Sequence, residues 1–149
     1  MNPSRHHTQP LASERRALNA AFAKCLDLLQ QHGSAEMALA LRSKAHLAGV
    51  VSGVLGADTV RVLDRDNTHT RKGLVLHLLT EKVQRRRMQG PVLAAFLDPM
   101  TLDRVVAPAG ITAVVFVPEQ AADLVAYLLR YPESVAVELP DGQGAEPMA

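Results

Sequence analysis

The sequence predicts an α/β fold, in which an N-terminal helical hairpin leads into a small three- or four-stranded, mainly parallel sheet with βα crossovers. Three observations point to it. From about Asp58 to Leu139, short apolar runs alternate with longer amphipathic ones, as βα units do. One short run, Pro91 to Leu97, is continuously apolar, as a strand covered on both faces is, and another, Ile111 to Val117, is rich in β-branched residues. The segment before Asp58 repeats its apolar residues at helical spacing.

Residues 1–11 mix Pro, Ser, Thr and Gln with His6 and His7 and carry no apolar period, which predicts a mobile arm. Two adjacent histidines without a third ligand make a poor metal site, so they read as part of a solvated tail. A single domain is expected over 12–139, with the hairpin in 12–56 and the βα units in 58–139. The Pro/Gly-rich stretch 140–149 reads as a flexible tail.

Ser13 can cap a first helix that carries Leu18, Phe22, Cys25, Leu26 and Leu29, and Gly33 suits its left-handed stop. Cys25 falls on the apolar stripe and reads as a small core hydrophobe rather than as half of a thiol–imidazole pair with His32 or His46. Ser34 can cap a second helix, with Met37, Leu41, Ala45, Ala48, Val51 and Leu55 along one side. Ala45, Gly49 and Gly53 are spaced by four, a stripe expected to let another backbone pack closely.

Thr59 to Leu63 alternates and is rich in β-branched residues, so a strand is expected there, followed by the polar loop Asp64 to Gly73. Thr68 or Thr70 can then cap a helix starting near Arg71 and ending in Arg85, Arg86 and Arg87, where cations complement a helix C-terminus. Gly73 to Thr80 also alternates and fits the second strand of a hairpin. The continuation to Met88 without Pro or Gly favours the helix. If the triplet does not end a helix, it reads as a basic contact surface.

After the strand Pro91 to Leu97 comes a short helical turn, Thr101 to Val106, and then the strand Ile111 to Val117. Pro118, Glu119 and Asp123 suit the start of a helix through Leu128 and Leu129, and Ser134 to Leu139 reads as a last strand.

Composition limits the function classes. The chain has 149 residues, enough for one core, with 48% apolar and 21% charged residues. Sixteen basic residues stand against fifteen acidic ones, and only two Tyr, three Phe and no Trp are present, so neither charge nor stacking platforms call for a nucleic-acid partner. One cysteine excludes an internal disulfide. No secretory h-region or membrane-length apolar run occurs, so a cytoplasmic protein without membrane contact is expected.

Ligands of open α/β sheets gather beyond the carboxyl ends of the strands. That rule selects Asp64 to Gly73, Asp98 to Thr101 and Pro118 to Gln120. Thr68, Thr70, Arg71 and Lys72 at a helix start suit a phosphate or carboxylate, with Asp98 and Glu119 nearby. Asp64 and Asp66 offer hard oxygen ligands to Mg²⁺. His77, inside LVLHLL, reads as a hydrogen-bonded packing residue.

VRVLDRDNT, Val60 to Thr68, resembles the first motif of the haloacid dehalogenase-like phosphohydrolases, a strand ending in Asp-x-Asp-x-Thr. The resemblance implies Asp64 as nucleophile, Asp66 as acid/base and Mg²⁺ between them. It covers nine residues. His69 stands where that family has an apolar residue, the next strand ends in Asp98 rather than Ser or Thr, and no later Lys with a strand-ending acidic pair follows.

The leading expectation is therefore a non-catalytic or regulatory binding module for an anionic small molecule or acidic peptide, needing no cofactor. Two others stand beside it: an interaction or homo-oligomerisation module acting through the helical hairpin, and a Mg²⁺-dependent phosphohydrolase.

Overall fold

A computed structural model describes residues 3–9 and 13–138. The expected tail 140–149 lies outside the described residues, as do residues 1, 2, 10–12 and 139, the expected end of the last strand. The described chain forms α/β structure around one seven-stranded sheet, wider than the expected three or four strands.

In chain order the elements are β1 (Ser4–His7), α1 (Glu14–His32), β2 (Glu36–Ala40), a 3₁₀ turn (Lys44–Leu47), α2 (Val50–Leu55) and α3 (Ala57–Asp66). They continue as β3 (Thr68–Arg71), β4 (Leu74–Leu79), β5 (Arg87–Ala95), α4 (Pro99–Val105), β6 (Ala109–Val117), α5 (Ala121–Arg130) and β7 (Val135–Ala136). The strand order is β3-β4-β2-β5-β6-β1-β7, and every pair is parallel except β3 with β4.

The first helix has its expected ends. Ser13 Oγ accepts from the Arg16 N–H, and Gly33 closes α1 at φ +64°, where a side chain would be strained. Cys25 is fully buried in its stripe, and burial pushes its thiol pKa up to about 12.

The second half of the expected hairpin does not form. Glu36–Ala40 is instead a central strand between β4 and β5, buried on both faces, so tertiary burial overrides the helix preference of Met, Ala and Leu. Ala45 then falls in the 3₁₀ turn, while Gly49 caps α2 and Gly53 lies within it. A Cβ at Gly49 or Gly53 would meet nothing within 4 Å, so these glycines are not a packing stripe.

Thr59 to Leu63, expected as a strand, lies within α3. Val60 and Leu63 face the core three residues apart, and Asn67 caps the helix in the left-handed region, its N–H donating to the Leu63 carbonyl. The expected helix from Arg71 is also replaced. Lys72 (φ +53°) and Gly73 (φ +83°) form a two-residue turn with both φ positive, which joins β3 to β4 as a hairpin. The hairpin reading of Gly73 to Thr80 is the one the chain adopts. Arg85 and Arg86 sit in the loop that follows and Arg87 begins β5, all exposed, so no helix terminus explains the triplet.

The expected mobile arm contains a strand. Ser4–His7 lies between β6 and β7, with Ser4 opposite Ala113. Buried His7 hydrogen-bonds Ser134 Oγ through Nδ1 at 2.8 Å, and the Arg5 guanidinium stacks 3.7 Å from the Tyr131 ring centre. The apolar positions of β6 supply the drive for this docking.

The strands Pro91 to Leu97 and Ile111 to Val117, the turn near Thr101 and the helix after Pro118 all form where expected, and the last strand is shortened to Val135–Ala136. One face of the sheet packs Met37, Leu39, Leu76, Leu78 and Leu93 against α1, α2 and α3. The other packs Ala38, Val92, Val114 and Phe116 against α4 and α5, with Phe116 stacked on Tyr127 at 4.5 Å.

Candidate functional site

Asp64 and Asp66 do not form a carboxylate pair. Both lie in α3, two positions apart and hence on different sides of the helix. Asp66 is bound by the Arg65 guanidinium at 2.9 and 3.0 Å, and this hydrogen bond holds its carboxyl below the ordinary range. Asp64 is exposed, and its backbone carbonyl accepts from Lys44 Nζ at 2.6 Å. The strand that the phosphohydrolase resemblance requires ahead of these aspartates is absent. Among the described residues no three His, Cys, Asp or Glu side chains group to hold a metal.

The expected Thr68, Thr70, Arg71 and Lys72 cluster is divided by the pleat, because successive strand residues face opposite sides. Thr68 Oγ1 bonds His77 Nδ1 at 3.1 Å, and His77 Nε2 bonds Glu36 Oε1 at 2.8 Å. This chain crosses β3, β4 and β2 and satisfies an imidazole that is only 4% exposed, so His77 is the hydrogen-bonded packing residue its setting suggested. His69 and Arg71 face the opposite side, toward α1 and α2.

Asp98 and Glu119 follow the carboxyl ends of β5 and β6, as expected, but Arg71 and Lys72 flank the start of β4. These strands run parallel through β2, so the two groups lie beyond opposite ends of the strands, roughly 20 Å apart for a six-residue strand. At the carboxyl ends the polar groups satisfy one another. Asp98 caps α4, accepts from Thr101 Oγ1 at 2.6 Å and pairs with Arg42 at 3.2 Å. The Thr101 hydroxyl, supported by Arg42, holds the Asp98 carboxyl below its usual range. Arg104 pairs with Glu81 at 3.0 Å. Glu119 is exposed.

Several surface grooves are present among the described residues, two of them, of about 540 and 470 Å³, along α1; the one that takes in Arg71 lies at the other end of the strands. A cleft of about 390 Å³ opens between α1, α2 and the β3–β4 hairpin. Phe22, Val54, Leu55, Leu74 and Leu76 form its apolar floor and walls, and Leu26, 38% exposed, stands at its mouth. Thr59, His69, Arg71 and Lys72 supply its polar rim. None of these lining residues is acidic, and Asp27 lines an adjoining groove that shares Leu26, Lys72 and Leu74 with the cleft. Among the described residues Arg71 and Lys72 make no salt bridge. Behind the floor, Leu18, Met37, Val51 and Leu93 border an apolar void of about 10 Å³, on the order of a single water.

The strand alternation of Thr68 to Arg71 could have revealed that His69 belongs with Arg71, had the segment been read as a strand. The floor had no comparable signal, because Phe22, Val54 and Leu76 are far apart in sequence.

No protein-family model matches the chain, and no curated protein matches it in sequence. No helix among the described residues is long and apolar enough to cross a membrane.

Proposed function

We propose that this protein is a binding module for a small anionic molecule, carried by the β3–β4 hairpin. The supporting observation is a cleft whose rim holds Arg71, Lys72 and His69 with no acidic residue in its lining. Its volume of about 390 Å³ lies within the usual range for small-molecule sites. Arg71 can offer a planar fork to a carboxylate or phosphate, and Lys72 adds a mobile point charge at the turn. Asp98 and Glu119 are not members of this site, since they belong to the opposite end of the strands.

The reading is tested by calorimetric titration with acetate, citrate, inorganic phosphate and nucleotides. At least one anion is expected to bind, and Arg71→Ala with Lys72→Ala should weaken it about tenfold or more, since charge-assisted contacts contribute about 1.5–3 kcal/mol. Unchanged binding in the double variant would refute it.

A further inference from the structure

The rim accounts for a charge but leaves the floor without a use. Five apolar side chains line the cleft beneath the cations, and Phe22, Val54, Leu55 and Leu74 are only partly buried although they pack on the core. Leu26 is more exposed still. A hydrophilic anion such as free phosphate would leave this surface in contact with water. A ligand that covers it gains from apolar burial as well as from charge.

We propose that the ligand is an anionic amphiphile: a single carboxylate or phosphate monoester head joined to an unbranched alkyl chain. This inference rests on the anion-binding reading and names its ligand class. The head sits against Arg71 and Lys72, with His69 facing the same side of β3. The chain runs inward over Leu74 and Leu76, between Phe22 of α1 and Leu55 of α2. Charge complementarity selects the head, and the wholly apolar floor selects the tail. The gap between helices and hairpin gives the tail an entrance at Leu26.

The inner end has room to adapt. α2 is bounded by Gly49 (φ +79°) and Gly56 (φ +94°), and a Cβ at either would meet nothing within 4 Å. Both flanking glycines thus hold backbone conformations that side chains rarely adopt. A small outward shift of Val54 and Leu55 would join the cleft to the apolar void beside Leu18 and Leu93, since both spaces share Phe22, Val54, Leu55 and Leu76.

The test is titration of the full chain with acetate, hexanoate, decanoate, decyl phosphate and decanol, each below its micelle concentration. A fully buried methylene is worth about fourfold in affinity. Decanoate is thus expected to bind about fifteenfold tighter than hexanoate even if only half the added chain is covered, and decanol much more weakly than decanoate. The tighter of decanoate and decyl phosphate identifies the head group. Val54→Trp, which puts a large ring over the apolar floor, should sharply reduce the chain-length gain. Leu26→Ser, a substitution at a partly exposed position, should reduce it about threefold with the fold intact by circular dichroism. If short anions bind through Arg71 and Lys72 with no chain-length gain, the amphiphile is overturned and the anion reading stands. If decanol matches decanoate, or nothing binds, both are overturned.

Discussion

Replacing Gly90 with alanine tests the centre of the sheet. A Cβ at this position would lie 1.8 Å from the carbonyl oxygen of Glu36 and 2.9 Å from its carbon, whereas ordinary contacts begin near 3.4 Å. Both nearest atoms are backbone, so no rotamer change can relieve the clash. β2 and β5 would have to separate by about 1.6 Å, a third of the roughly 4.8 Å between neighbouring strands. The affected junction adjoins the Ala38–Val92 pairing and the Glu36–His77 bond. Overpacking costs of about 1–3 kcal/mol apply where side chains can yield, so this rigid clash should cost about 3 kcal/mol or more. For a chain of this length that lowers the melting temperature by roughly 10 °C. Gly53→Ala is the internal contrast. It meets nothing within 4 Å inside α2 and should stabilise by about 0.5–1 kcal/mol. Urea unfolding of both variants supplies the measurement. A Gly90→Ala protein within about 1 kcal/mol of the parent would refute the close approach of these strands.

Further outcomes follow from other sites. Lys72 occupies a left-handed position that asparagine tolerates better, so Lys72→Asn should raise stability by about 0.5–1 kcal/mol in denaturant titrations while weakening anion binding in calorimetry. Glu36→Ala strands a buried imidazole N–H and should cost about 1–3 kcal/mol, with Glu36→Gln costing clearly less by the same titration. Burial holds His7 below its ordinary pKa of 6.5, and it lowers His6 as well, with Lys24 and His7 adding to the effect. The folded chain therefore favours neutral rings. Stability should be complete above about pH 6.5 and decline as the pH falls below it, where the unfolded state takes up the protons. Amide exchange of β1 should quicken across that window, and His7→Phe should flatten the response. Cys25 should resist alkylation at pH 8 in the folded protein and react readily in denaturant, as mass spectrometry can record.

The legible parts of this fold carried their own end signals. Ser13 and Gly33 bracket α1, the apolar run Pro91 to Leu97 falls in and just after β5, and the β-branched run Ile111 to Val117 lies in β6. Between Ser34 and Met88 local signals pointed the wrong way. Met37-Ala-Leu-Ala40 has helix-forming residues but fills a central strand, where only packing against both layers decides. Thr59 to Leu63 alternates over too few residues to separate a strand from the helical pair Val60 and Leu63. The hairpin turn was concealed because lysine, rather than asparagine, precedes Gly73. Arg71 and Lys72 read as a helix start, whereas Arg71 ends a strand and Lys72 opens the turn after it, which places both on the rim of the proposed cleft. The floor beneath them depends on contacts among α1, α2 and β4.

The placement of β1 also governs what happens when it is absent. Ser4 to His7 pair with Ala113 to Phe116 across nearly the whole described chain, and Val137 donates to the His7 carbonyl from the other side. A chain lacking these residues would keep its helices and the other central strands yet uncover the backbone of the apolar run Ile111 to Val117. An unpaired strand of that composition is a template for addition of another chain. The few residues of β1 thus close a side of β6 that would otherwise stand open.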